Sequence, residues 1–297
     1  MDTLQQERRQ LIESLTTDPA KQKELEKFFR PKHNVPFWLG LVIIVCVIFI
    51  AVFPSLFTSG DPTAQNMKAL LQPPSSQYWF GTDNFGRDIY TRVIYGARVD
   101  LTIGFLATVV PFAFGSVVGL VAGYFGRWVD DVLMRILDVM TAFPFIVLVI
   151  GIVTILGAGI SNLFMAIWMV GWREYARLVR SEVLVEKNQD YVLAARTLGY
   201  SPWRIIFRHI MPNVLSSAVV YGVSDIMMCM LLAASMSFLG LGVQPPIPEW
   251  GAIISDGRSF MTSAWWISTF PGIALAITGS GLSLLGTGLS SMVRQDR

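Results

Sequence analysis

Few residues in this chain combine the types and spacing that chemistry requires. His33 and His209 are its two histidines. They lie far apart, so neither an HExxH zinc helix nor a His-rich metal site can be assembled from them. No Gly-Lys dipeptide occurs. That removes the Walker A loop, whose lysine and backbone amides cradle phosphates, and with it nucleotide hydrolysis by that route. Cys46 and Cys229 both sit in apolar runs, where a thiol is ordinarily a small buried hydrophobe. Asp225 is the one acidic residue inside a membrane-length apolar run. At the centre of a bilayer a carboxylate costs about 2.5–3.5 kcal/mol, so it must face protein or water. Two readings of it stay open: a pathway group beside Met227, Met228, Cys229 and Met230, or a partner of a neighbouring helix with the methionines as filler. Asp225 and Met228 are the candidate pathway residues. No catalytic residue, metal site or cofactor of its own is expected.

The elements that position these residues are membrane helices. The 297 residues are 53% hydrophobic and 15% charged, with a mean hydropathy of +0.52, a composition that excludes a soluble single domain and makes lipid much of the solvent. Apolar runs near residues 37–57, 101–123, 142–156, 160–169, 214–241 and 267–292 predict six crossings of a hydrocarbon layer about 30 Å thick. The third and fourth are joined only by Gly157-Ala158-Gly159, and the fourth borrows Trp172 and Tyr175 to reach full length. Gly115, Gly119 and Gly123 recur every four residues, which predicts a smooth groove for close helix contact, and Pro111 and Pro271 permit bends.

Lys and Arg gather on cytoplasmic loops. Lys21, Lys23, Lys27, Arg30 and Lys32 before the first run, Arg173, Arg177, Arg180, Lys187, Arg196, Arg204 and Arg208 after the fourth, and Arg294 and Arg297 at the end all fall on one side, which places both termini in the cytoplasm. The loop 242–266 holds only Arg258, although the first outer loop keeps Lys68, Arg87, Arg92 and Arg98. Topology accounts for the basic residues, and a net charge of +2 gives no sign of nucleic acid. The first run lacks a small-x-small exit and follows a long polar segment, so it reads as an uncleaved anchor. Ahead of it, Leu4, Leu11, Ile12 and Leu15 suggest one weakly amphipathic helix, and Asp18-Pro19 caps another bearing Leu25, Phe28 and Phe29; an interfacial helix pair and a partly disordered tail are the two readings of this segment. The chain thus divides into a cytoplasmic segment 1–36, a first span 37–57, an outer loop 58–100, a five-span core 101–293 and a cytoplasmic end 294–297.

Within that core, residues 172–213 read as a polar loop carrying two short helices. Asp190 can cap a first helix over 191–198, and Gly199 stands where a left-handed C′ residue is wanted. Ser201 can cap a second, with Pro202 in its first turn, running over 203–210 to a break at Pro212. Tyr191, Ala194, Ala195 and Leu198 follow i, i+3, i+4, i+7 spacing and form an apolar stripe only two methyl groups high at its middle, suited either to a cleft or to the chain's own loops.

Three stretches carry a family resemblance. Ala194-Ala195-x3-Gly199 with His209-Ile210-Met211-Pro212-Asn213 resembles the EAA loop of ATP-binding-cassette (ABC) importer permeases of the peptide and nickel group. The stretch from Gly81-Thr82-Asp83-Asn84-Phe85-Gly86-Arg87-Asp88 through Arg92 to Gly96-Ala97-Arg98 is similar to that group's signature before its second span. Ser237-Phe238-Leu239-Gly240-Leu241-Gly242-Val243-Gln244-Pro245-Pro246, with Pro248-Glu249-Trp250-Gly251 and Asp256-Gly257-Arg258, is similar to the signature between the last two spans. The matches run over about residues 72–289 and most resemble the second permease subunit of dipeptide and oligopeptide importers.

The resemblance implies an all-α integral membrane protein of the type I ABC importer permease fold, with six transmembrane helices and a cytoplasmic coupling helix between spans 4 and 5, in a bacterial inner membrane. It also implies a heterodimer with a homologous permease, two cytoplasmic ATPase subunits that carry the ATP and Mg, and an extracytoplasmic substrate-binding protein. Tyr191, Ala194, Ala195, Leu198, Gly199 and Pro212 are then expected to couple to the ATPase. Asp83, Arg87, Asp88, Glu249 and Trp250 are candidates for outer contacts, in loops whose glycines and prolines are equally turn chemistry. Swinging a two-state equilibrium from 1:99 to 99:1 takes about 5.5 kcal/mol, so the coupling helix must be firmly gripped. Leu193 replaces the acidic residue that opens the family motif, with Glu186 and Asp190 nearby. Small peptides are the expected cargo and nickel or a metal chelate the alternative. A secondary carrier using Asp225 is the alternative of another class, and an intramembrane enzyme would need a paired nucleophile and base that the sequence lacks.

Overall fold

Helices are the one regular element among the described residues, as backbone polar groups in lipid demand. The computed structural model describes residues 34–295, so the helices expected within 4–15 and 18–29 lie outside the described residues. From Pro36 onward the chain forms one unit. Helix α1 (Val35–Val52) is apolar from end to end and meets the bundle along a single seam of Gly40, Ile44 and Ala51. Its other faces, with Trp38, Val42, Val45 and Phe49, are exposed, as suits contact with lipid.

Helix α2 (Ile89–Phe125) has 37 residues and a length of about 55 Å at 1.5 Å per residue. The predicted run 101–123 is its later part, and its first turns extend toward residues 58–88. Beyond it, α3 (Arg127–Thr141) and α4 (Phe145–Leu156) meet at 82°. The predicted third run is therefore only one arm of a bent pair: α4 alone, at 12 residues, is about 18 Å long and too short to cross. Helix α5 (Ile160–Glu186) continues well past the predicted 160–169. Its first half is apolar and its second half carries Arg173, Glu174, Arg177 and Arg180.

Helix α5 lies in the glycine groove of α2. A Cβ on Gly115 would strike the Trp172 carbonyl, one on Gly119 would come within 2.5 Å of the Ala176 oxygen, and one on Gly123 within 2.7 Å of Val183 Cβ. The four-residue glycine repeat thus lets α5 lie directly against the backbone of α2.

The segment α6 (Asp190–Thr197), α7 (Pro202–Ile205), a π turn over Ile206–Ile210 and α8 (Met211–Phe238) follows. Then come α9 (Trp250–Gly257) and α10 (Trp266–Gln295). Helices α1, α2, the continuous stretch Pro202–Phe238 and Trp266–Val293 are each long and apolar enough to cross a membrane, with α3 and α4 a fifth if taken as one bent span. Gly159 donates to the Leu241 carbonyl at 3.3 Å, so the start of α5 meets the end of α8. The bundle therefore has two distinct ends, one bearing residues 58–88 and α9, the other bearing α6 and α7.

Candidate functional site

At the α6 end, the helix begins one residue earlier than expected. Gln189 occupies the cap position without a side-chain bond, and Asp190 lies in the first turn, where its charge still favours the helix dipole. The C-terminus is as the sequence predicts. Gly199 has φ +75°, its N–H reaches the Arg196 carbonyl at 2.9 Å and the Tyr200 N–H reaches the Ala195 carbonyl at 3.2 Å, the two bonds of a Schellman motif. Ser201 caps α7 by accepting from the Arg204 N–H at 3.4 Å. The break expected at Pro212 is absent. A π turn, in which the Met211 N–H bonds to the Ile206 carbonyl, widens the helix ahead of the proline and lets the chain run on into α8.

The expected apolar stripe of α6 divides between two faces. Val192 and Ala195 turn inward and are buried, at 0% and 4% exposure, in a cluster with Val179, Val183, Ile205, Ile206 and Ile210. Tyr191, Leu193, Ala194 and Leu198 remain exposed, with Leu198 at 71%. Tyr191 is anchored at its tip: its hydroxyl donates to the Glu186 carboxylate and accepts from Asn213 Nδ2 at 2.8 Å. Partial burial, reinforced by Glu186, pushes the Tyr191 phenol up to about 12. Glu186 is thus held between Tyr191 of α6 and Asn213 of α8, and Leu193 stays exposed. No spacing rule in the sequence pairs Glu186 with Asn213.

At the opposite end, the signature residues brace one another. Asp83 is fully buried. Its Oδ1 accepts from the Phe85 and Arg87 backbone N–H groups at 2.8 and 2.9 Å, and its Oδ2 from Arg87 Nε and, at 2.7 Å, Arg92 Nη1. Arg87 Nη2 continues to Asp256 at 3.1 Å, tying residues 58–88 to α9. Burial raises the Asp256 carboxyl, and Arg92 and Arg87 oppose that. Asp88 caps α2 through Thr91. Glu249, at 0% exposure, caps α9 by accepting from the Gly251 and Ala252 N–H groups at 2.9 and 2.6 Å; burial raises its carboxyl against those two bonds. Trp250, 2% exposed, donates from its indole to the Val93 carbonyl at 3.0 Å, and its backbone N–H reaches Asp100 at 3.0 Å. The five candidates for outer contacts are therefore inward-facing or capping side chains that shape this face.

Mid-bundle, Asp225 Oδ2 accepts from the Tyr175 hydroxyl at 2.8 Å, so the carboxylate has a helix partner. Tyr175 rings Phe112 and Tyr221 edge-on. Met228 points outward at 63% exposure, while Cys229 and Met230 are buried. The structure brings Asp225 together with Tyr175 of α5 and leaves Met228 on the surface.

Residues 115–296 match the family described as binding-protein-dependent transport system inner membrane component. The chain is 44% identical over 264 residues to the dipeptide transport system permease protein DppC of Alkalihalophilus pseudofirmus, covering 89% of this chain and 87% of that one. It is 40% identical over 263 residues to the glutathione transport system permease protein GsiD of Pectobacterium atrosepticum, with 89% and 87% covered. Among solved structures, an inward-facing conformation of the MetNI methionine ABC transporter shares its fold, with TM-score 0.56 at 19% identity over 69% of this chain and 96% of that chain. A glycine-grooved bundle with a small helical knuckle at one end and a braced, ion-paired face at the other thus belongs, by sequence and fold alike, to the binding-protein-dependent transport system inner membrane component family: the chain is a permease subunit of an ABC importer.

Proposed function

We propose that this permease carries short peptides, forms half of the translocation pathway beside a homologous permease, and is worked by two cytoplasmic ATPase subunits through α6. The relatives named above transport a dipeptide and glutathione by name, and both cargoes are short peptides. In this reading the chain crosses the inner membrane six times with both ends in the cytoplasm, α5 and the bent α3–α4 pair completing the count. The six-span count agrees with the basic residues on α5, α6 and α7.

The observation that carries the coupling role is the split face of α6. Val192 and Ala195 root the helix in the bundle, and Tyr191, Ala194 and Leu198 are offered outward. A force applied to the outward face reaches α5 and α8 through Glu186 and Asn213. Gly199 and Pro212 set the turn and the entry into α8. On the far side, the face shaped by Asp83, Arg87, Asp88, Glu249 and Trp250 docks the substrate-binding protein, and Asp225 and Met228 lie along the pathway.

The test is reconstitution in liposomes with the sister permease, both ATPases and the binding protein. Uptake of a labelled dipeptide is expected only with ATP and binding protein present, and unaltered when the proton gradient is collapsed. Uptake driven by a gradient without ATP would overturn the reading.

A further inference from the structure

The stretch 58–100 carries Lys68, Arg87, Arg92 and Arg98, four basic residues that a topological rule for Lys and Arg leaves unexplained there. Arg87 and Arg92 are held by Asp83 and Asp256, and Lys68 is exposed in the loop. Arg98 is placed differently. It is exposed on α2, and no carboxylate lies within ion-pair distance of it among the described residues. Its Nε donates to the Ala51 carbonyl at 2.7 Å and its Nη2 to the Val52 carbonyl at 2.8 Å. Both carbonyls belong to the last turn of α1, where such groups have no partner within the helix. The guanidinium is thereby fixed level with the end of an apolar, membrane-length helix. It has five N–H donors, of which these bonds use two, and it keeps its full positive charge.

Beside Arg98 a groove of about 530 Å³ opens between α1 and α2, with Ile226 of α8 and the buried Leu282 of α10 also lining it. Its size falls within the range of roughly 300–1,000 Å³ that holds small ligands. Ile48, Val52, Phe105 and Leu106 are exposed along it, so it opens on the surface of the bundle. Its side chains are aliphatic and aromatic apart from Thr102, and Arg98 is the one charged residue among them. The lining runs from Val52 back to Ile44 along α1 and from Arg98 on to Leu106 along α2, a rise of about 12 Å on each helix. Half of a hydrocarbon core is about 15 Å. The groove is therefore about one leaflet deep, with its cation at the end where α1 stops.

A partner helix would run the whole thickness of the membrane and bring no charge for Arg98. An acyl chain below its headgroup has the depth and polarity of this groove. A phosphate can accept from the remaining N–H groups, and the guanidinium fork suits its oxygens. Thr102, one turn on from Arg98 along the same face, adds a hydroxyl that can donate to a phosphate or ester oxygen. A zwitterionic headgroup would also bring an ammonium, and no lining side chain carries negative charge to receive it. We propose that this groove binds an anionic glycerophospholipid of the leaflet adjoining residues 58–88, with one acyl chain between α1 and α2 and the phosphate on Arg98. Bound there, the lipid adds a second attachment for α1 to its single seam of Gly40, Ile44 and Ala51.

The experiment places the complete importer, this chain with its partner subunits, in phosphatidylcholine nanodiscs. Trace phosphatidylglycerol or trace phosphatidylcholine carries a diazirine at the end of one acyl chain, and cross-links are mapped by peptide mass spectrometry. In the wild type, labelling within 44–52 and 98–106 is expected to favour phosphatidylglycerol about fivefold, the equivalent of ~1 kcal/mol for one basic residue at a lipid surface. Arg98→Gln should bring that ratio to about one, and Arg98→Lys should keep most of it. Thr102→Glu, at an exposed position, sets a carboxylate beside the guanidinium and should lower the ratio too; it decides the matter if Arg98→Gln does not assemble. Equal labelling by the two lipids in the wild type would reduce the groove to bulk lipid contact and overturn the proposal. A ratio unchanged in Thr102→Glu and in any assembled Arg98→Gln would do the same. Absence of label from both stretches, as when a helix of a partner subunit fills the groove, also overturns it.

Discussion

The carboxylate of Glu186, on the last turn of α5, accepts from the side-chain amide of Asn213, in the first turn of α8, at 3.0 Å, and both meet the Tyr191 hydroxyl of α6. Three elements close on one node. The node ties α6 to both α5 and α8.

Asn213→Ala should uncouple before it unfolds. The node is largely solvent-exposed, so its loss costs about 1 kcal/mol of stability, and the variant should insert and purify with its partners. ATP-driven uptake should drop several-fold while the ATPase rate becomes less responsive to the binding protein. Normal uptake in Asn213→Ala and Tyr191→Phe together would show that force reaches the bundle elsewhere.

The two alanines of α6 should behave differently. Ala195 is 4% exposed within the hydrophobic cluster, so Ala195→Trp overpacks a core at about 1–3 kcal/mol or more and lowers the thermal midpoint of the permease. Ala194 is exposed, so Ala194→Trp should leave that midpoint in place and weaken only retention of the ATPase in copurification.

Gly199 offers a purely conformational probe, because no atom lies within 4 Å of a Cβ added there, yet its φ is +75°. Uptake should fall in the order Asn, Ala, Val, the β-branched residue being worst, with strain of about 1–3 kcal/mol. Equal activity for Gly199→Val and Gly199→Asn would show that the turn is not held left-handed.

Removing one member of the buried ion network should be severe. Asp83→Asn leaves Arg87 and Arg92, 2% and 1% exposed, with Asp256 as the carboxylate they still share, a loss of up to about 3–5 kcal/mol. The double variant Asp83→Asn with Arg92→Gln should recover part of the loss. A double-mutant cycle on thermal unfolding measures the coupling, and simple additivity would contradict it.

Asp225→Asn separates the transport classes. The amide keeps an acceptor for the Tyr175 hydroxyl, so an ATP-driven importer should retain most of its uptake. Abolished transport with normal assembly and ATPase activity would favour a carrier that works through this carboxylate.

Much of this molecule is readable in its sequence because the governing interactions are local or periodic. Hydropathy marks the apolar runs, and the Gly115, Gly119, Gly123 repeat announces a groove whatever helix fills it. Ser201, Pro202 and Gly199 act through neighbours a few residues away, where capping and left-handed turns are decided. Tertiary structure alone decided the rest. A short helix with small residues on several sides can bury either face, and the cluster around Val179 and Ile206 selected Val192 and Ala195. Asp83, Arg87 and Glu249 look like surface charges in a loop until Asp256, 169 residues beyond Arg87, and the backbone of α9 enclose them. Likewise no pattern along the chain joins Glu182 to Ser217 and Thr287; only the packing of α5, α8 and α10 places them around one cavity. Local sequence sets what each segment can form, and the burial that chooses among those possibilities comes from partners too distant in the chain for any period to reveal.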